Sequence, residues 1–212
     1  MNYLDSPQPP NLPYAPPEWN PQYQEQLNNV LRLYFNRLSN VTRYLLGPDG
    51  GRFMSNPFGA WSSDSDQTAS STTTAYAITY DVTDISDSVY LDGTSKLTVT
   101  HPGIYNLQFS IQFTNTDTQI HDVDVWVAVN GSNVSNTNSR FSVPNSHGGT
   151  DGHLIAALNV FLSMQSGDYV ELYWATNNTG VRIEHIAAAS SPTRPATPSV
   201  IATMSFVSSI PG

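Results

Sequence analysis

The stretch GIYNLQFSIQF, residues 103–113, decides the fold class of this chain. Every second position holds a bulky apolar residue, and the positions between them are mostly polar. An apolar alternation of period two is typical of a β-strand with one buried face, whereas a helix would repeat every three to four residues. The stretch therefore predicts a half-buried strand whose core-facing residues are Tyr105, Leu107, Phe109, Ile111 and Phe113.

Segments of similar β character follow one another on both sides of this strand. They span 74–82, 95–101, 123–131, 153–164, 168–176, 181–189 and 200–209. Turn sequences such as Asn130-Gly131 and Gly167-Asp168 separate them, and no helical pattern lies between them. We therefore predict an all-β, antiparallel sandwich over residues 74–212, with a jelly roll as its most specific form.

The N-terminal residues 1–21 form a different region, dense in proline. Proline removes backbone donors and favours extended conformations, so this region is predicted to be an extended arm. One interpretation is a solvated tail. We favour an anchoring arm whose side chains bind grooves on a partner, because apolar residues are frequent in and just after it: Tyr3, Leu12, Tyr14, Trp19 and Tyr23.

Residues 22–46 are predicted to form one helix, with Pro21 suited to its first turn and Gly47-Pro48 as its end. Its apolar residues are spaced alternately four and three apart, which is heptad spacing. A core helix lying on the β domain remains one interpretation. We favour a helix that packs with copies of itself or with a scaffold, through Leu27, Leu31, Tyr34, Leu38, Val41 and Leu45. Residues 47–73, rich in Gly, Pro, Ser and Asp, are predicted to be a linker.

Several of the β segments resemble strands of the C1q/TNF-like jelly-roll family. The resemblance covers about residues 74–208 and lies in the order and spacing of the motifs more than in any one of them. The matching motifs are Gly103 to Phe109, Val125 to Gly131, Gly167 to Leu172 and Ser205 to Val207. The family resemblance implies a jelly-roll sandwich that forms trimers.

The chain as a whole also resembles virion structural proteins of marine tailed phages, cyanophages especially. In these, a Pro/Tyr-rich arm and a similar helix precede a TNF-like domain; the matching stretch is Tyr23 to Asn36. This resemblance implies a homotrimer anchored through its N-terminus to a virion, with the major capsid protein or another virion structural protein as partner. It also implies assembly in the host cytoplasm. Unlike secreted C1q-like proteins, the chain has no collagen-like repeat.

Charge and composition exclude several classes of function. The chain carries a formal net charge of −9, and residues 61–212 hold all of it. Nucleic acids and anionic membranes bind Lys and Arg, so neither is an expected partner. The absence of cysteine excludes disulfides and thiolate chemistry. We find neither a secretory signal pattern nor an apolar run of about 18 residues that could span a membrane.

Two histidine-containing clusters are the candidate metal sites. His121, Asp122 and Asp124 lie close together in sequence, and the Gly-rich turn that follows holds another set, His147, Asp151 and His153. Such side chains bind metals in principle. A solvated strand face and a polar turn explain them better, so we assign no metal and no cofactor.

No catalytic constellation can be named. Glu171, Glu184 and His185 lie in predicted strands, but a sequence cannot give the distance between two carboxylates that hydrolysis of a glycoside would need. We therefore expect a binding protein rather than an enzyme.

Two binding functions remain open. The first is a capsid decoration, cement or head-fibre protein. The alternative is a receptor-binding tip of a tail fibre that binds host surface glycan through loops such as 130–153. Trp126 and Trp174, set in apolar strands, are expected in the core or in a subunit interface rather than at a sugar site.

Overall fold

The structure is a computed structural model that describes residues 7–47 and 56–211. The chain divides into two compact units, residues 1–55 and 56–212. The first, called the N-terminal unit below, contains an extended segment and one helix. The second, called the β unit, contains the strands.

The predicted helix is confirmed as α1, Pro21–Leu46. Asn20 caps it, because its side-chain Oδ1 accepts hydrogen bonds from the backbone N–H groups of Gln22 (2.9 Å) and Tyr23 (3.2 Å). Pro21 occupies the first turn, where its missing N–H costs nothing. No residue of α1 is buried.

The described part of the β unit contains strands from Phe58 to Ser208. In chain order they are β1 (Phe58–Ser63), β2 (Gln67–Thr68), β3 (Tyr76–Ala77), β4 (Val82–Asp87), β5 (Val89–Asp92), β6 (Lys96–Val99), β7 (Gly103–Asn115), β8 (His121–Val129), β9 (Ser132–Asn133), β10 (Ser139–Val143), β11 (Gly152–Met164), β12 (Tyr169–Thr176), β13 (Val181–Ile183), β14 (Ala189–Ser190), β15 (Thr193–Arg194) and β16 (Val200–Ser208).

The strands form two large sheets and one small pair. The first sheet has the order β2-β13-β7-β16-β1-β4, with β11 paired to the other edge of β7. The second has the order β10-β8-β12-β6-β5, with β3 on β12 and β9 on β8, and β14 pairs with β15. All of these strand pairs are antiparallel, so the prediction of an antiparallel, mostly β chain with one helix is confirmed.

The quoted stretch lies at the centre of the first sheet, in β7. Its five alternating apolar side chains are buried, as predicted, and β11 pairs with it from Gly103 to Asn115. Residues of both large sheets belong to one hydrophobic cluster. Phe113 of β7 and Trp174 of β12 meet across it, with ring centroids 5.7 Å apart.

The predicted linker over 47–73 is wrong where β1 and β2 form. β1 pairs with β4 and β16, and its Trp61 is completely buried. Small residues around Trp61 obscured the strand, yet the packing requires them: a Cβ at Gly59 would overlap the Trp61 ring. The β unit therefore begins near residue 56 rather than at 74, and linker residues 48–55 lie outside the described residues.

Some strand boundaries also differ from the prediction. The segment 74–82 contains only the two-residue β3 and the first residue of β4, and the segment 181–189 is strand only in its first three residues and at Ala189. β5 and β10 were not predicted. These strands are short, and period two cannot be recognised over so few residues.

Candidate interaction surfaces

The described part of the anchoring arm leaves its large side chains in solvent. Leu12, Tyr14 and Trp19 are exposed, Tyr14 completely and Trp19 to 76%. Tyr23 is half-buried in the first turn of α1, and Tyr3 lies outside the described residues. An arm with this much unburied aromatic surface has the chemistry of a binding segment, and its role as an anchor stays a prediction.

The heptad stripe of α1 is likewise unburied. Leu27, Leu31, Tyr34 and Val41 are only half-buried, and Leu38 and Leu45 are exposed. Further exposed apolar residues widen the stripe: Leu33, Phe35 and Leu46. A helix gains most of its stability in proteins from packing an apolar face. The stripe is thus an apolar surface that stays accessible in the single chain, and its packing against another helix stays a prediction.

The outer face of the first sheet, on the side away from the core, carries a second set of exposed apolar residues. They are Ile155 and Phe161 on β11, Ile201 on β16 and Ile85 on β4. Between them β7 presents polar side chains, including Asn106, whose Oδ1 is buried without a hydrogen-bond partner among the described residues. A mixed apolar and amide surface of this kind suits a contact between subunits.

The three side chains of the first candidate metal cluster each bond to a different neighbour. His121 Nε2 lies 2.8 Å from Asp117 Oδ2, and Asp122 accepts a hydrogen bond from the Ser142 hydroxyl at 2.7 Å. Arg140 donates to both carboxylate oxygens of Asp124, at 3.1 and 2.9 Å.

The Asp124–Arg140 and Asp117–His121 pairs lower the pKa of their aspartates. Hydrogen bonding by Arg140 holds the pKa of Asp124 below its ordinary value, and the hydrogen bond with His121 does the same for Asp117. These acids are therefore engaged in local pairs, which favours the solvated strand face over a metal centre.

The second candidate cluster does not converge either. His147 exchanges backbone hydrogen bonds with Thr150, while the ring of His153 lies 2.8 Å from the Thr114 hydroxyl and 3.6 Å from Glu184. Within residues 7–47 and 56–211, no group of three or more histidine or acidic side chains is arranged to hold a metal ion.

The candidate carboxylates for hydrolysis lie apart in the fold. Glu171 is on β12 of the second sheet and accepts a hydrogen bond from Ser95 at 2.6 Å. Glu184 follows β13 of the first sheet and pairs with Arg182 at 2.6 Å. The structure thus gives each acid its own neutral or cationic partner and does not pair the two.

The two tryptophans of the second sheet have different environments. Trp174 is 1% exposed and belongs to the core, as expected. Trp126, in contrast, is half-buried on the outer face of the sheet, where its ring stacks on Tyr173 at 6.0 Å and 19°. Its indole N–H donates to Asn133 Oδ1 at 2.8 Å.

A cavity of about 380 Å³ adjoins Trp126. The sequence analysis placed its glycan-binding alternative in loops over 130–153, which supply part of the lining, but it did not include Trp126. Trp126, Val134 and Ala175 supply its apolar lining, and Asp124 and three asparagines, Asn133, Asn136 and Asn138, supply its polar lining. The asparagine-rich run NVSNTN, residues 133–138, was the available signal. The sequence does not show that this run lies beside Trp126, because that position depends on how the loop folds.

Comparison with known proteins gives no identification. No protein-family model matches the chain, and a search of curated proteins finds no significant relative. Among the described residues, α1 included, no helix has the length and hydropathy of a membrane span.

Proposed function

We propose that this chain is a non-enzymatic structural protein of a phage virion. It is a trimeric jelly-roll knob anchored to the particle through its N-terminus, as a capsid decoration, cement or head-fibre protein. The observation that carries the proposal is the apolar stripe of α1, none of which is buried within one chain. Heptad spacing of that stripe favours packing against copies of the same helix.

The strand order supports the jelly-roll part of the proposal. Each large sheet joins strands that are distant in sequence, such as β7 with β16 and β8 with β12. Such interleaving of two antiparallel sheets is typical of a double Greek key. The order also agrees with the motif resemblance, because the matching motifs lie in β7, β8, β12 and β16.

The outer face of the first sheet supports self-association of the β unit. Ile85, Ile155 and Phe161 are each at least 60% exposed in the single chain. Burying such side chains between subunits is favourable by about 25 cal/mol per Å² of apolar surface. A homotrimer would cover these residues in three equivalent contacts, because a closed ring repeats one interface.

The arm supports N-terminal anchoring. A proline-rich segment is extended before it binds, so ordering it costs less entropy than ordering a flexible chain. Three arms on one trimer would bind with avidity, since the second and third bind at a high effective concentration. The knobs, with their net negative charge in residues 61–212, would repel one another on a crowded particle surface.

Particle binding tests this proposal. Purified full chain, added to particles of the encoding phage that lack the protein, is expected to co-sediment with them in multiples of three chains. A chain without residues 1–19, which keeps the Asn20 cap and α1, is expected to stay in the supernatant. The matched control carries the arm with Pro9→Ala, which leaves every aromatic in place. Equal binding by the truncated chain, or absence of the protein from native particles by mass spectrometry, would refute the proposal.

A further inference from the structure

The cavity beside Trp126 is built on a fixed aromatic ring. Tyr173 covers one side of the indole, and the Asn133 side chain holds its N–H. These two contacts hold the indole ring in one orientation beside the cavity. A rigid aromatic ring with a half-exposed surface offers a platform for the C–H groups of a ligand.

The loop that lines the cavity is joined to β8 at several points. Asn130 and Gly131 form the tight turn between β8 and β9, both with positive φ of 51° and 77°. Val134 N–H then donates to the Val127 carbonyl at 2.9 Å, and Thr137 Oγ1 accepts from Val127 N–H at 3.1 Å. These bonds preorganise the cavity, which lowers the entropy cost of binding.

The rim of the cavity offers hydrogen-bonding groups with free capacity. Asn136 makes no side-chain hydrogen bond to any described residue, and Asn138 uses only its amide N–H, toward Asp124 Oδ1 at 3.2 Å. Asn133 uses only its oxygen, toward Trp126. The exposed amides thus retain both donors and acceptors for a ligand rich in hydroxyl groups.

A second hollow of about 240 Å³ adjoins the cavity. Asp124 and Ala175 line both, and Asp122, Arg140 and Asn177 are among the other residues of the second hollow. Two adjoining hollows on one sheet face form a site longer than a single ring.

We propose that this surface binds a neutral saccharide, with one ring against Trp126. Stacking of sugar C–H groups on an aromatic ring, beside amides and carboxylates that bond the hydroxyls, is the chemistry that recognises sugars. Anionic ligands are disfavoured, because Asp122 and Asp124 face the site and Asp124 already engages Arg140 on both oxygens. The same charges disfavour a nucleotide, although its base could stack. The inference does not depend on the virion role.

Ligand-detected NMR on the full chain tests the site. The sugars are methyl β-glucoside, methyl β-galactoside and N-acetylglucosamine, with glucuronate as the anionic comparison. Trp126→Ala removes the platform, whereas Ala175→Phe fills the cavity from the exposed face and leaves the indole and its stacking partner intact. Tyr90→Ala is the matched control, since Tyr90 is an exposed aromatic (48%) on β5 of the same sheet.

We expect saturation transfer to at least one neutral sugar, with affinity reduced about tenfold or more in both cavity variants and within about twofold of the original in the control. If Trp126→Ala fails to fold, the affinity of Ala175→Phe for the neutral sugars tests the site. Absence of transfer to all three neutral sugars overturns the proposal. It is also overturned by a preference for glucuronate, or by undiminished binding in Ala175→Phe.

Discussion

The N-terminal unit and the β unit differ in where their apolar side chains go. In the β unit, two sheets enclose one core in which most large side chains are almost completely buried. In the described part of the N-terminal unit, the aromatics of the arm and the stripe of α1 remain exposed or half-buried. Trp61 and Trp19 express the contrast within one residue type, at 0% and 76% exposure.

This difference indicates that the two units contribute differently to the stability of the chain. Buried apolar surface supplies most of the free energy of folding, and the residues of the hydrophobic core lie in the β unit. An isolated helix is only marginally stable in water, so the proposed packing of the α1 stripe against another chain would stabilise the helix. Stability and attachment can therefore be changed separately, and the following predictions use that separation.

The largest expected effect is on folding, from Trp61→Ala. Removing a fully buried tryptophan should lower the free energy of unfolding by about 3–5 kcal/mol, through lost burial and the cavity left behind. Urea denaturation of the full chain measures it. Trp19→Ala is the matched substitution in the other unit, and it should change the unfolding free energy by less than about 0.5 kcal/mol. A similar loss of unfolding free energy in both variants would contradict the difference between the units.

A second effect concerns association rather than folding. The double variant Leu31→Glu, Leu38→Glu places charge in the apolar stripe, and we expect it to weaken self-association or docking of α1 at least about tenfold. Sedimentation over a range of protein concentrations measures this change. The control is Asn36→Glu, Asn40→Glu, which adds the same charge on the side of the helix opposite the six heptad residues. An equal effect of both double variants would show that added charge, and not the stripe, matters.

The smallest expected effect lies at the surface of the β unit, in the Asp124–Arg140 pair. Because Arg140 lowers the pKa of Asp124 in the folded chain, the pair stabilises above the ordinary carboxyl pKa of 3.8 and loses this contribution as pH falls through the lowered value. Exposed ion pairs are generally worth no more than about 1 kcal/mol.

Urea denaturation over a falling pH series tests the pair. Asp124→Asn should lower the stability slightly at neutral pH and should reduce its loss in acid. Asp84→Asn, an exposed aspartate on β4, is the control for removing one negative charge. If Asp124→Asn left the acid dependence steeper, the direction assigned to the pKa shift would be wrong.

The long strands and the helix could be predicted because their signals are local. β7 repeats its apolar residues with period two over its whole buried face, and α1 has a proline in its first turn and an apolar stripe. β1 could not be predicted, since Gly59, Ala60 and Ser62 read as linker. Their burial depends on β4 and β16, which lie far along the chain.

The candidate surfaces divide in the same way. Exposure of the arm aromatics follows from their proline-rich sequence. The outer position of Trp126 could also have been predicted, because Asp122, Asp124 and Trp126 alternate with Val123, Val125 and Val127 along β8, and period two places the two sets on opposite faces. The cavity further requires the loop over 134–138 to fold back on β8.

Light scattering on the purified full chain tests the central claim most directly. The stripe of α1 and the outer face of the first sheet are the proposed subunit contacts. If they are, the mass of the protein in solution should be three times the chain mass of 23.2 kDa. It should fall only on dilution or in the Leu31→Glu, Leu38→Glu variant. A mass of one chain at every concentration would contradict the account, because both apolar surfaces would then be stable in water without a copy of the chain.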